Sequence, residues 1–103
     1  MKDVHGKIAF ITGGASGIGL GIAKVFVAAG VNAVIADLRQ DHLDSAMEYF
    51  TRNNLRENVH PIQLDVTDRA AMQQAADETE SVFGKVHILV NNAGVGVTGP
   101  ITR

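Results

Sequence analysis

Two spacings of apolar residues alternate along the chain. Ile8-Ala9-Phe10-Ile11 is a continuous apolar run of strand length, and after a glycine-rich turn Ile18, Ile22, Val25, Phe26 and Ala29 recur at the spacing of one helical face. Gly30 is placed to stop that helix, and Val31-Asn32-Ala33-Val34-Ile35-Ala36 reads as a second strand. A second helix follows, with Asp41 as its expected N-cap, Leu43, Ala46, Met47 and Phe50 on its apolar face, and Asp44 and Glu48 turned outward. Val59-His60-Pro61-Ile62-Gln63-Leu64 is a third strand. Its proline cannot donate to a ladder, which places the strand at a sheet edge or the proline at the strand's beginning. Thr67 or Asp68 then caps a third helix whose inner face carries Met72, Ala75, Ala76, Thr79 and Phe83 and which Gly84 ends. Val86-His87-Ile88-Leu89-Val90 is the fourth strand.

Strict alternation of strand and helix, each about as long as a βα unit requires, predicts an α/β fold with a parallel sheet. Right-handed crossovers give the strand order 3-2-1-4, with a ligand crevice where strands 1 and 4 send their connections to opposite faces. The turn beside that crevice is Thr12-Gly13-Gly14-Ala15-Ser16-Gly17-Ile18-Gly19. A pyrophosphate is met well by unpaired N–H groups at a helix N-terminus and by the positive end of the helix dipole. In that setting Gly13 suits a sharp turn, Gly17 removes a Cβ that would block a phosphate, and Gly19 lets the helix pack closely on the strand. Three residues separate Gly13 from Gly17, where the common dinucleotide fingerprint has one between its first two glycines, so the turn is a variant of that site. Asp37 ends the second strand near the ~20-residue offset at which a carboxylate accepts from ribose hydroxyls, or else it is a surface acid capping a turn. Asp65-Val66 and Asn91-Asn92-Ala93-Gly94 fall on the same rim. Asp65 can accept from the exocyclic amine of adenine or cap the following helix, and the asparagines can face the ligand or tie adjacent loops together.

Composition narrows the partners. The 103 residues fit one domain, 1–103, and nine basic against eleven acidic residues give a formal charge of −2. Lys2, Lys7, Lys24 and Lys85 are scattered, without the basic stripe that tracks nucleic-acid phosphates, so no nucleic-acid partner is expected. The absence of cysteine rules out disulfides and thiolate metal sites, and His5, His42 and His60 lack metal-ligand spacing. Met1-Lys2-Asp3-Val4-His5-Gly6 has no signal-peptide apolar region and no stretch approaches a membrane span, so the expectation is a cytoplasmic protein with no membrane partner.

Together, Thr12-Gly13-xxx-Gly17-x-Gly19, Asp37, Asp65-Val66 and Asn91-Asn92-Ala93-Gly94 resemble the short-chain dehydrogenase/reductase family over nearly the whole chain. The resemblance implies a three-layer Rossmann fold, present here as its first four strands, and hydride transfer between a secondary alcohol or ketone and NAD. It implies that Gly13, Ser16, Gly17, Ile18 and Gly19 hold the pyrophosphate and nearby ribose, and that Asp37 holds the adenosine ribose. Asp65 and Val66 would hold the adenine, and Asn91, Ala93 and Gly94 the middle of the cofactor near the nicotinamide. A carboxylate at Asp37 repels the 2′-phosphate of NADP and so favours NAD, an effect that Arg39 can partly offset. His87 departs from the aspartate the family often shows at that place, and no role is assigned to it. The run from Ala36 to Asp44 looks like bacterial dehydrogenases that oxidise benzylic alcohols of lignin-derived aryl ethers.

The same resemblance places the family's catalytic serine and Tyr-xxx-Lys pair beyond Arg103, so no catalytic residue is assigned here. Tyr49, the single tyrosine, has Asn53 four residues later in place of a lysine that could lower its pKa, and reads as a packed helix residue. The expectation is a C-terminally truncated cofactor-binding half, inactive alone, marginally stable or self-associating, and homo-oligomeric when complete. Two other readings stay open: a non-catalytic dinucleotide-binding module or sensor, and a glycine-loop protein for a flavin or methyl donor.

Overall fold

The computed structural model describes residues 4–92. Four strands, β1 (Ile8–Thr12), β2 (Asn32–Asp37), β3 (Val59–Gln63) and β4 (Ile88–Asn91), form one parallel sheet in the order β3-β2-β1-β4. Between them run helices α1 (Gly17–Ala28), α2 (Gln40–Arg52) and α3 (Arg69–Val82), with one 3-10 turn at Arg56–Asn58 before β3. This is the Rossmann-like arrangement and strand order expected from the alternation of periods.

Side-chain alternation along the two central strands divides the core. Ala9 and Ile11 of β1 and Ala33 and Ile35 of β2 pack against Ala23 and Val27 of α1 and Leu43, Ala46, Met47 and Phe50 of α2. Phe10, Val34 and Ala36 point the other way and meet Ala75 of α3, with Met72 and Phe83 partly buried beside them. All of β1 is buried, as a strand covered on both faces must be, which is why it reads as a run of apolar residues with only Thr12 polar. β3 lies at an edge, with Pro61 in register with Ile35, so the missing N–H costs the ladder little there. The opposite edge is β4, in register from Ala9↔Ile88 to Thr12↔Asn91.

Three local expectations are corrected. In α1 the buried positions are Gly19, Ala23 and Val27, whereas Ile18 and Val25, expected inside, are 76% and 67% exposed. Lys24 is the only polar residue in this helix, so its pattern hardly distinguishes one face from another; the helix turns its small residues, Gly19 and Ala23, toward the sheet, where they permit close approach. In α2 the N-cap is Arg39 rather than Asp41, because β2 runs to Asp37 and the helix starts three residues later. Asp41 falls instead in the first turn, where its charge suits the helix dipole. In α3 Ala76, expected on the inner face, is exposed, while the cap is Asp68, one of the two residues expected there, whose carboxylate accepts from the Ala71 N–H at 3.0 Å. The buried Thr79 hydroxyl is satisfied by the Ala75 carbonyl at 2.8 Å.

Candidate functional site

Between the end of β1 and the start of α1 the backbone twice enters the left-handed region, at Gly13 (φ +63°) and Gly17 (φ +55°), where an L side chain is strained. A Cβ on Gly17 would meet nothing within 4 Å, so that side of the bend is open. A Cβ on Gly19 would stand 2.0 Å from the Gly13 carbonyl oxygen, so the first turn of α1 packs on the bend as well as near the sheet. Ser16 is the extended N-cap of α1, its hydroxyl makes no capping bond, and no acidic residue lies in the first turn. The first-turn N–H groups therefore keep their capacity to bind an anion, beside the exposed Ile18. The sequence reading gave no role to Gly14, yet a Cβ there would press on the Ile11 carbonyl at 2.9 Å and the Ile35 side chain at 3.1 Å. Its N–H donates to the Ala36 carbonyl at 3.1 Å, joining the bend to β2.

Asp37 ends β2 with a carboxylate whose side chain is 10% exposed. One oxygen accepts from the Ala15 N–H at 3.3 Å and the other from the Arg39 N–H at 3.1 Å. Two backbone donors thus fix the carboxylate between the glycine bend and the start of α2, and each oxygen retains a lone pair for another donor. His42 Nδ1 stands 3.9 Å from one of these oxygens. Beside Asp37 lies a cavity of about 340 Å³ lined by Gly13, Asp37, Leu38, Leu64, Asp65 and Val66 among others. Its volume falls within the usual range for small-molecule sites. Asp65 does not cap α3. Its Oδ1 accepts from both the N–H and the hydroxyl of Thr67, at 2.9 and 2.6 Å, and these bonds hold the carboxyl below the usual carboxylate range. Both bonds land on one oxygen, so the second keeps its acceptor capacity.

At the other side of the bend, Thr12 binds β1 to β4. Its hydroxyl oxygen accepts from the Asn92 N–H at 2.8 Å and lies 3.1 Å from Asn91 Oδ1 and 3.3 Å from the Val90 carbonyl, which compete for its one proton. Asn92 also reaches the Gly13 carbonyl with its side-chain amide at 3.4 Å. The asparagines therefore tie the two strand ends together, the plainer of the two expectations for them, and set Asn91 beside the bend. Ala93 and Gly94 lie outside the described residues. His87, to which no role was assigned, accepts from the Ile8 N–H with Nδ1 at 3.1 Å while its own N–H donates to the Ile8 carbonyl at 2.8 Å. An aspartate at that position would supply an acceptor too, which is the signal that could have found it.

Gly13, Ser16, Asp37, Asp65, Val66 and Asn91 thus lie at the strand ends or in the turns that leave them, and Gly17, Ile18 and Gly19 in the first turn of α1, on one rim of the sheet. A family model described as short chain dehydrogenase matches residues 7–103. The chain belongs to the short-chain dehydrogenase family. Over its whole length it is 47% identical to the C alpha-dehydrogenase of Sphingobium sp. (strain NBRC 103272 / SYK-6), of which it spans 33%. It superposes on the apo form of LigD from Sphingobium sp. strain SYK-6 with a TM-score of 0.84 at 46% identity, covering 96% of this chain and 42% of that one. It also matches the C-domain of a bacterial malonyl-CoA reductase solved with NADP, at a TM-score of 0.83 and 29% identity, over 89% of this chain and 15% of that one. The chain thus spans about a third of the length of the curated relative it matches.

The family binds NAD(P), and the groups present are of the kinds such a cofactor needs: a helix N-terminus with no acidic residue in its first turn, a carboxylate fixed by backbone donors, and a cavity with an acidic rim. Among the described residues no cluster of three or more His, Cys, Asp or Glu could hold a metal, and no helix is long and apolar enough to cross a membrane.

Proposed function

We propose that this chain is the cofactor-binding part of an NAD-dependent dehydrogenase that interconverts a secondary alcohol, of the benzylic class, and its ketone. The observation that carries the reading is the fixed Asp37 carboxylate between the open glycine bend and the cavity of about 340 Å³ beside it. When bound, NAD would supply the acceptor for the hydride of the alcohol carbon. Gly13, Ser16, Gly17, Ile18 and Gly19 surround the pyrophosphate and its ribose, Asp37 accepts from the adenosine ribose hydroxyls, and Asp65 with Val66 borders the adenine. By the family resemblance Asn91, Ala93 and Gly94 would border the middle of the cofactor near the nicotinamide. Asp37 favours NAD because its charge repels a 2′-phosphate at the same place. Tyr49 is read as a packed residue of α2, its ring edge-on to Phe50 with centroids 5.2 Å apart and under the Lys24 ammonium at 4.0 Å. Relatedness to the C alpha-dehydrogenase supports the alcohol class.

Titration of the full-length protein with NADH and NADPH tests the reading, together with oxidation of aryl secondary alcohols followed by NADH absorbance. NADH should bind more tightly than NADPH. Asp37→Ala should weaken NADH at least about tenfold, the scale of hydrogen bonds to a charged acceptor, and narrow the gap to NADPH. Binding without turnover of any alcohol would point to a sensor, and binding of neither nucleotide would overturn the dinucleotide site.

A further inference from the structure

If Asp37 selects NAD, Arg39 two residues on is a cation able to undo that selection, because a guanidinium is the side chain best shaped to grip a phosphate. Its backbone is fixed to the Asp37 carboxylate by the bond from the Arg39 N–H to Asp37 Oδ1 at 3.1 Å. Its side chain is fixed elsewhere. Arg39 Nε donates to Asp41 Oδ1 at 3.1 Å and Nη2 to Asp41 Oδ2 at 2.8 Å, the two parallel bonds of a bidentate fork. The cavity beside Asp37 is lined by Leu38 but not by Arg39.

We propose that Asp41 is a specificity-determining residue: by clamping Arg39 onto the first turn of α2 it withholds from a 2′-phosphate the guanidinium that would otherwise neutralise it. This rests on the dinucleotide reading of the Asp37 site. The clamp works with two features already described. The early start of α2 places Asp41 in the first turn rather than at the cap, free to face back to Arg39. Each partner also holds the other ionised, chiefly through their hydrogen bond, which raises the pKa of Arg39 and lowers that of Asp41. His42, the neighbouring titratable group, stands 3.9 Å from the Asp37 carboxylate and adds a smaller effect on Asp41 than Arg39 does. Both members of the fork are exposed, 62% and 64%, so a bound phosphate dianion could compete for the guanidinium and the clamp discriminates by a modest factor.

The test is equilibrium titration of the full-length protein with NADH and with NADPH for the wild type, Asp41→Ala, Asp41→Asn, Arg39→Ala and the Arg39→Ala/Asp41→Ala double variant. Asp41→Ala should raise NADPH affinity relative to NADH about three- to tenfold, the scale of one exposed charge pair. Asp41→Asn, which keeps one acceptor for Arg39, should give a smaller gain, and it reads the effect independently should the alanine variant disturb α2. The gain should vanish when Arg39 is already alanine. Equal gains with and without Arg39 would mean that Asp41 acts by its own charge alone and would overturn the proposal, as would an unchanged ratio in a protein that binds NADH. A wild type that binds neither nucleotide would sink the dinucleotide reading and this inference with it.

Discussion

Gly17 and Gly19 are two positions apart and are glycine for different physical reasons. Gly17 faces open space but sits at φ +55°, so alanine there costs about 1–2 kcal/mol of backbone strain while the neighbouring atoms stay in place. Gly19 has no room at all: the added methyl would lie 2.0 Å from the Gly13 carbonyl oxygen and 2.9 Å from the Asn92 side-chain amide. Gly19→Ala should therefore destabilise by about 2–3 kcal/mol, as overpacking does, and should also displace the bend that receives the pyrophosphate. Urea unfolding of the full-length variants should rank Gly19→Ala below Gly17→Ala, and NADH titration should show a loss at both, at Gly17 because the added methyl enters the open side of the bend and at Gly19 because the bend itself is displaced. The motif spacing made both glycines legible in the sequence. The partner of Gly19 was not, because the carbonyl it approaches belongs to the turn's own folded path.

Strand β4 is short and at an edge, and its attachment depends on its two ends as much as on its ladder. At one end Thr12 gathers Asn91 and Asn92, and at the other His87 exchanges two hydrogen bonds with Ile8. Replacing His87 by alanine leaves the Ile8 N–H without its acceptor at the start of a fully buried strand, so the expected cost is about 1 kcal/mol. His87→Asp should recover part of it. Amide hydrogen exchange at Ile8 is the sensitive readout: it should quicken in the alanine variant and return toward wild type in the aspartate variant. Equal exchange in all three would remove His87 from this role. A histidine in a strand pattern carries no sign of which backbone group it will meet, so the sequence reading assigned nothing there, whereas Pro61 announced its edge strand because a missing donor is a property of the residue itself.

The described part of the molecule has the size of an ordinary small domain, with a radius of gyration of 12.7 Å, yet it leaves apolar surface uncovered. Ile18 and Val25 on α1 and Leu89 on β4 are 76%, 67% and 63% exposed, and β4 presents an edge with no further strand among the described residues. Edges of that kind pair with other chains unless they are covered. Expressed as these 103 residues alone, the protein should self-associate or melt over a broad range, while the full-length protein should melt cooperatively. Calorimetry with sedimentation at several concentrations checks this. A sharp melt of a monomer, independent of concentration, would show that the uncovered surface is tolerated.

Element types, strand order and the rim that carries the glycine bend, Asp37 and Asp65 were readable without coordinates, because helix and strand periods are local and right-handed crossovers leave few topologies. The inward face of α1 was not readable. In a helix that is apolar nearly all round, the face is set by which small side chains fit against the bend and the sheet, and that fit exists only between elements. The same holds for Gly14 against Ile35, for Thr12 between β1 and β4, and for Asp41, which sequence placed at a cap and which the folded turn turned toward Arg39. Local patterns fix what each segment becomes; contacts between distant segments fix which atoms each side chain meets.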